Sequence, residues 1–170
     1  KHGVYVVYGT PNKKVHCKMC LVIKKTNKGY DKYCHIGTGN YNEKNSKIYT
    51  DLSLFTSKKE ITNSIEELFN YLTGFSETTN NDYVFHSPEN LSTKLIEMID
   101  KEIEEYKRGN KAEIIIKVNS LTDKIIIDKL YEASNIGVKI TLIIRSACSL
   151  IKTSDNLIVK SIVGRYLEHS

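Results

Sequence analysis

No stretch of this 170-residue sequence approaches the run of about eighteen apolar residues that a membrane-spanning helix needs. Its first residues also lack the charged, apolar and small-residue succession of a signal peptide. Together these absences point to a soluble, cytoplasmic protein. Cysteine is scarce, with thiols only at positions 17, 20, 34 and 148. Cys17-x-x-Cys20 imitates a zinc or redox half-site, but no second CxxC accompanies it, and on a strand the two side chains face opposite ways. Structural thiols in a reducing compartment are the better reading. Excess charge is modest: 25 basic against 20 acidic residues leave +5. That bias suits anionic partners such as phosphates, nucleotides or nucleic acid, and ordinary variation in surface charge accounts for it equally well. A chain of this length holds one ordinary core or two small ones.

Against that background, residues 15–23 (VHCKMCLVI) form a β-branched, apolar stretch that no Gly or Pro interrupts, which predicts a strand. Alternation puts Val15, Cys17, Met19, Leu21 and Ile23 on one face and His16, Lys18, Cys20 and Val22 on the other. The first face can pack on a core. The second begins with an imidazole and an ammonium about 6 to 7 Å apart along the strand. A neutral imidazole can attack phosphorus and a neighbouring cation can hold its oxygens, although His-x-Lys on a strand is also compatible with a solvated edge. A polar hairpin with Asn27-Lys28-Gly29 at its turn leads to a second strand over 32–36, which runs into Gly37-Thr38-Gly39-Asn40-Tyr41-Asn42. Glycines there let backbone N–H groups approach an anion, and the Asn40 and Asn42 amides can donate.

The sequence of His16-x-Lys18 followed by Gly37-Thr38-Gly39-Asn40 resembles the phospholipase D superfamily signature, in which a histidine attacks phosphorus covalently. The aspartate expected a few residues past the lysine is missing; Ile23 and Lys24 occupy that region. The fuller text, VHCKMCLVI, HIGTGNYN, KIYTDLSLFT, LFNYLTGFS and IVGRYLEHS, resembles polyphosphate kinase of the histidine-phosphorylating type over essentially the whole chain. Enzymes of that family are much longer, so the resemblance implies an internal piece of one.

Elsewhere the pattern predicts an α/β fold. Residues 4–8 read as a short strand with no preceding helix, which supports truncation. Ser57-Lys58-Lys59-Glu60 reads as a capping box that opens a helix ending at Gly74. Residues 76–82 are the clearest linker. The expected division is residues 1–80, the C-terminal part of a first phospholipase D-like domain, and residues 81–170, the N-terminal part of a second, with mixed sheets flanked by helices. In the second, a helix begins at Ser87-Pro88-Glu89 with an apolar stripe from Leu91 to Tyr106 and closes at Gly109. Strands are expected over 112–118, 138–144 and 157–163, with a helix over about 123–134. The near-continuous apolar run at 112–118 is typical of a parallel sheet covered on both sides. Arg145 stands at a strand's carboxyl end, where open α/β sheets bind ligands. It is either a phosphate-binding fork or an exposed charge.

The resemblance implies reversible transfer of the ATP γ-phosphate to polyphosphate. By it, His16 is the nucleophile, His169 assists the leaving group and contacts nucleotide, and Tyr49 and Arg145 bind ATP. Lys18, Gly39 and Asn40 are further candidates for phosphate contact. Tyr49, read alone, is a core aromatic or a platform for a base. If Tyr49 and Arg145 hold one nucleotide, the expectation is a cleft between the domains. Mg²⁺ accompanies ATP, while the family's magnesium-associated arginines lie outside this stretch. ATP, ADP and polyphosphate are the implied partners, with no nucleic acid; self-association of the whole enzyme stays open. A phospholipase D-like phosphodiesterase or nuclease would use the same His16 with water as acceptor. The missing aspartate and the His169-Ser170 ending argue against it. A non-catalytic polyanion-binding piece is the other alternative.

Overall fold

The computed structural model describes residues 2–9, 12–77 and 82–170. They form two compact units: Lys1–Lys47 with Asp51–Phe85, and Ile48–Thr50 with His86–Ser170.

The first unit is built on a hairpin. Strand β1 (Lys18–Thr26) and strand β2 (Gly29–Gly37) pair antiparallel without a bulge, from Lys18↔Gly37 to Thr26↔Gly29. Gly29 adopts φ +123°, a backbone that side-chain-bearing residues avoid, so the turn needs its glycine. After the short helix α1 (Glu43–Ser46) and strand β3 (Tyr49–Thr50), strand β4 (Ser53–Thr56) adds to the far edge of β2, with Phe55 opposite His35 and Ser53 opposite Gly37. Helix α2 (Lys59–Leu72) packs on β1 and β2 and buries Thr62, Ile65 and Leu68, while the sheet contributes buried Cys34. Burial pushes the Cys34 thiol above its ordinary pKa, as suits a structural cysteine.

Three local expectations change here. The first strand starts at Lys18 rather than at residue 15, because β2 ends at Gly37 and leaves His16 and Cys17 no residue to pair with. Residues 4–8 are not a strand: they pair with none among the described residues, and Tyr5 and Tyr8 stand exposed. An unpaired stretch gains nothing from its β propensity. The capping box does not form, since Lys58 is the N-cap and makes no side-chain cap bond; the Thr56 hydroxyl accepts from Lys58 N instead, at 3.1 Å. Of the expected linker, residues 78–81 lie outside the described residues.

In the second unit, strands β5 (Glu113–Val118), β6 (Lys139–Ile144) and β7 (Leu157–Lys160) make a parallel sheet in that order. Helix α3 (Leu91–Lys107) packs on helix α4 (Lys124–Ile136) beside it. Ile99, Ile103, Leu130, Ala133, Val138, Ile140, Leu142 and Leu157 form the core. The strand over 113–118 is covered on one face only among the described residues: Ile114 is buried and Ile115 is 65% exposed. The α/β class is as expected, and strand direction segregates, antiparallel in the first unit's sheet and parallel in the second's. Helix α3 starts at Leu91 because residues 87–90 form a turn in which Asn90 and Leu91 N–H both donate to His86 O. A last strand, β8 (Leu167–Glu168), pairs in parallel with β3.

The ends of α4 are written locally. Asp123 caps it by accepting from Ile125 N and Ile126 N at 2.9 and 3.1 Å. Gly137 closes it at φ +117°, and a Cβ there would land on the phenol end of Tyr106. Gly137→Ala should therefore destabilise this unit by about 1–3 kcal/mol through the backbone alone. In the whole protein, amides of the sheet should exchange with deuterium roughly 5- to 150-fold faster. Adding Tyr106→Ala should recover only the part due to the clash. Unchanged exchange in Gly137→Ala would contradict the assigned cap.

Candidate functional site

In the first unit, His16 is exposed and Lys18 is nearly buried. The Lys18 ammonium lies 2.9 Å from His16 Nδ1 and 3.2 Å from Nε2. An ammonium can only donate, so the contact requires a ring nitrogen with a lone pair, the form in which imidazole is a nucleophile. Because Lys18 pairs with Gly37, the same contact sits where β2 enters the glycine-rich loop.

That loop is held from behind. Thr38 N donates to Leu52 O, and Leu52 N donates to Thr38 Oγ1, both at 3.0 Å. The Thr38 hydroxyl then donates to Asp51 Oδ1 at 2.9 Å. Any side chain at Gly39 would collide with the Asp51 carboxylate, so this glycine is explained by close approach of a carboxylate. The Thr38 and Leu52 amides are satisfied internally. Asn42 accepts from Lys44 N and Asn45 N as the cap of α1, whereas Asn40 is exposed. His35, which shares its face of the sheet with Lys18, has Nδ1 2.6 Å from the Tyr41 hydroxyl and its ring 4.4 Å from that of Phe55. Thr38 and Asp51 lie in motifs that carry the resemblance, but nothing in the sequence pointed to a bond between them.

The second unit gathers the other candidates. Ile48–Thr50 belongs to it because β3 pairs with β8: Leu167 N donates to Ile48 O at 2.9 Å and His169 N to Thr50 O at 3.0 Å. That pairing stacks Tyr49 on His169, with ring centroids 5.1 Å apart and planes 29° apart. Lys117 braces the strand by contacting Glu168 Oε2 at 2.6 Å and Ser170 Oγ at 2.7 Å, on either side of His169. Tyr49, Arg145, Arg165 and Tyr166 line one open hollow of about 480 Å³. Arg145 donates through Nε and Nη2 to Asn119 Oδ1 at 3.0 and 2.7 Å. Its Nη1 is buried and has no partner. A guanidinium N–H in that state is costly until an anion reaches it.

Tyr49 and Arg145 thus share a hollow within one unit, and the cleft expected between domains is not needed to bring them together. One face of the Tyr49 ring is already taken by His169.

The family model for polyphosphate kinase C-terminal domain 2 matches residues 84–170, half of the chain, and that for C-terminal domain 1 matches residues 1–78. The chain belongs to the polyphosphate kinase family. It is 45% identical to polyphosphate kinase from Klebsiella pneumoniae over 171 residues, covering 98% of this chain and 25% of that protein. With polyphosphate kinase from Mycobacterium avium (strain 104) it is 40% identical, covering 99% of this chain and 24% of the relative. The crystal structure of polyphosphate kinase from Porphyromonas gingivalis superposes with a TM-score of 0.81 at 35% identity, over 96% of this chain and 28% of that one. The chain therefore spans about a quarter of the length of the curated relatives it matches. Within the polyphosphate kinase pattern, Tyr49 falls in the stretch matched by domain 1, yet it packs with residues matched by domain 2.

Among the described residues, no three His, Cys, Asp or Glu side chains are arranged to hold a metal ion. No helix among them is long and apolar enough to cross a membrane.

Proposed function

We propose that the whole protein carrying this chain transfers the γ-phosphate of ATP to inorganic polyphosphate, reversibly, through a phosphohistidine at His16. The observation that carries this reading is the buried, unpartnered Nη1 of Arg145 in a hollow shared with Tyr49, in a chain of this family. A phosphate oxygen is the group that satisfies such a donor. Mg²⁺ would arrive with the nucleotide, held largely by its phosphates and water.

In the forward step a lone pair on the His16 imidazole attacks the γ-phosphorus. A P–N bond forms, the P–O bond to the β-phosphate breaks, and ADP leaves. The terminal oxygen of a polyphosphate chain then attacks the same phosphorus and the P–N bond breaks. Lys18 would leave the His16 ring for a phosphate oxygen as the substrate arrives, and the exposed Asn40 amide can donate to the same group. Gly39 packs closely against Asp51, and its backbone N–H remains a candidate for phosphate contact. His169, stacked on Tyr49, would protonate or stabilise the leaving group and contact the nucleotide. Phosphoryl transfer asks for positioning and charge neutralisation, which these groups supply.

The test is incubation of the whole purified protein with MgATP and a polyphosphate primer. Chain growth with stoichiometric ADP is expected, and phosphodiester hydrolysis without ATP-dependent chain growth would overturn the reading. The isolated 170-residue chain should show little or no synthesis.

A further inference from the structure

The carboxyl ends of β5 and β6 lie side by side, because their parallel register closes at Val118↔Ile144. Asn119 follows the first strand and Arg145 the second. Backbone bonds join the two ends: Arg145 N donates to Val118 O at 3.2 Å and Ser146 N to Asn119 O at 2.8 Å. Between side chains, the single oxygen Asn119 Oδ1 receives both Nε and Nη2 of Arg145. One edge of the guanidinium is thereby fixed, and Nη1 remains buried and unpartnered. The acidic residue that also borders the hollow, Glu168, is engaged by Lys117 at 2.6 Å.

The chemistry of the acceptor at position 119 is informative. An aspartate has nearly the same shape and would hold the guanidinium through charge-assisted bonds, about twice as strong as bonds to a neutral amide. If fastening the strand ends were the whole purpose, aspartate would do it better. An amide orients the fork while leaving its positive charge uncancelled. We infer that Asn119 is a positioning residue: it aims Arg145 at the phosphate groups of the substrate and, being neutral, keeps the guanidinium charge available to them. This rests on Arg145 being a phosphate-binding group, as proposed above.

The inference is tested in the whole protein with Asn119→Asp, Asn119→Ala and Arg145→Ala, by equilibrium titration with ATP and, separately, with inorganic tripolyphosphate. Asn119→Asp should weaken ATP binding about tenfold, the loss of one charge-assisted contact, while its unfolding midpoint stays at or above that of the parent. Asn119→Ala should weaken binding less, because the fork loses its orientation and keeps its charge. Matching losses with tripolyphosphate would identify a phosphate chain of either source as the bound group, and losses with ATP alone would tie the contact to the nucleotide. Parental ATP affinity in Asn119→Asp, alongside weakened binding in Arg145→Ala, would overturn the role of Asn119 only. Parental affinity in Arg145→Ala would remove the phosphate reading of the hollow, and this inference with it.

Discussion

Replacing His16 by alanine in the whole protein is expected to abolish transfer of labelled phosphate from ATP to the polypeptide. In the parent the label should be acid-labile and base-stable, the behaviour of a P–N bond. The expectation rests on the exposed imidazole and on the Lys18 ammonium 2.9 Å from its Nδ1, a contact that needs the neutral, nucleophilic ring. Lys18→Met separates the roles. It keeps the acceptor nitrogen and removes the cation, so labelling should persist at a rate lower by roughly 10²–10³-fold, the usual consequence of losing one donor to a developing charge. Undiminished labelling of His16→Ala would sink the assignment.

Arg145→Ala is expected to weaken ATP binding by about 1.5–3 kcal/mol, which is about 10- to 150-fold. The side chain is already half-engaged by Asn119 and holds Nη1 buried without a partner, so a phosphate oxygen gains a donor whose orientation has been set in advance. Tyr49 should act through its ring. Its stack on His169 means that Tyr49→Ala removes a packing surface from both the hollow and the histidine, whereas Tyr49→Phe keeps it. Equilibrium ATP titrations of the three variants decide the matter. An Arg145→Ala protein that binds ATP like the parent would leave the site without its anchor. Equal losses for Phe and Ala at position 49 would move the role of Tyr49 from its ring to its hydroxyl.

What could be read in advance was what a few neighbouring residues decide among themselves. The Asn27-Lys28-Gly29 turn, the Gly74 and Gly109 helix endings at positive φ, and the strands at 113–118 and 139–144 all follow from local backbone preference or apolar runs. Two local rules failed. Ser57 forms no capping box because the helix starts later, and residues 4–8 find no strand to pair with among the described residues.

The candidate site divides the same way. Residue types and spacing brought His16, Lys18 and the glycine-rich loop together, since the hairpin pairs Lys18, two residues after His16, with Gly37 at the start of the loop. They also carried the motifs by which the chain resembles its family. Spacing had no means of revealing that Asp51 closes on Gly39, that Asn119 steers Arg145, or that Ile48–Thr50 leaves its sequence neighbours to pair with β8 and stack Tyr49 on His169. Each of these joins residues separated along the chain, and such partners are selected by strand register and the packing of the whole unit, which no local preference encodes. Sequence alone determined which residue types this chain offers for the phosphate chemistry proposed above. Tertiary structure decided which groups aim it, because aim is a property of distances between residues that the chain order keeps apart.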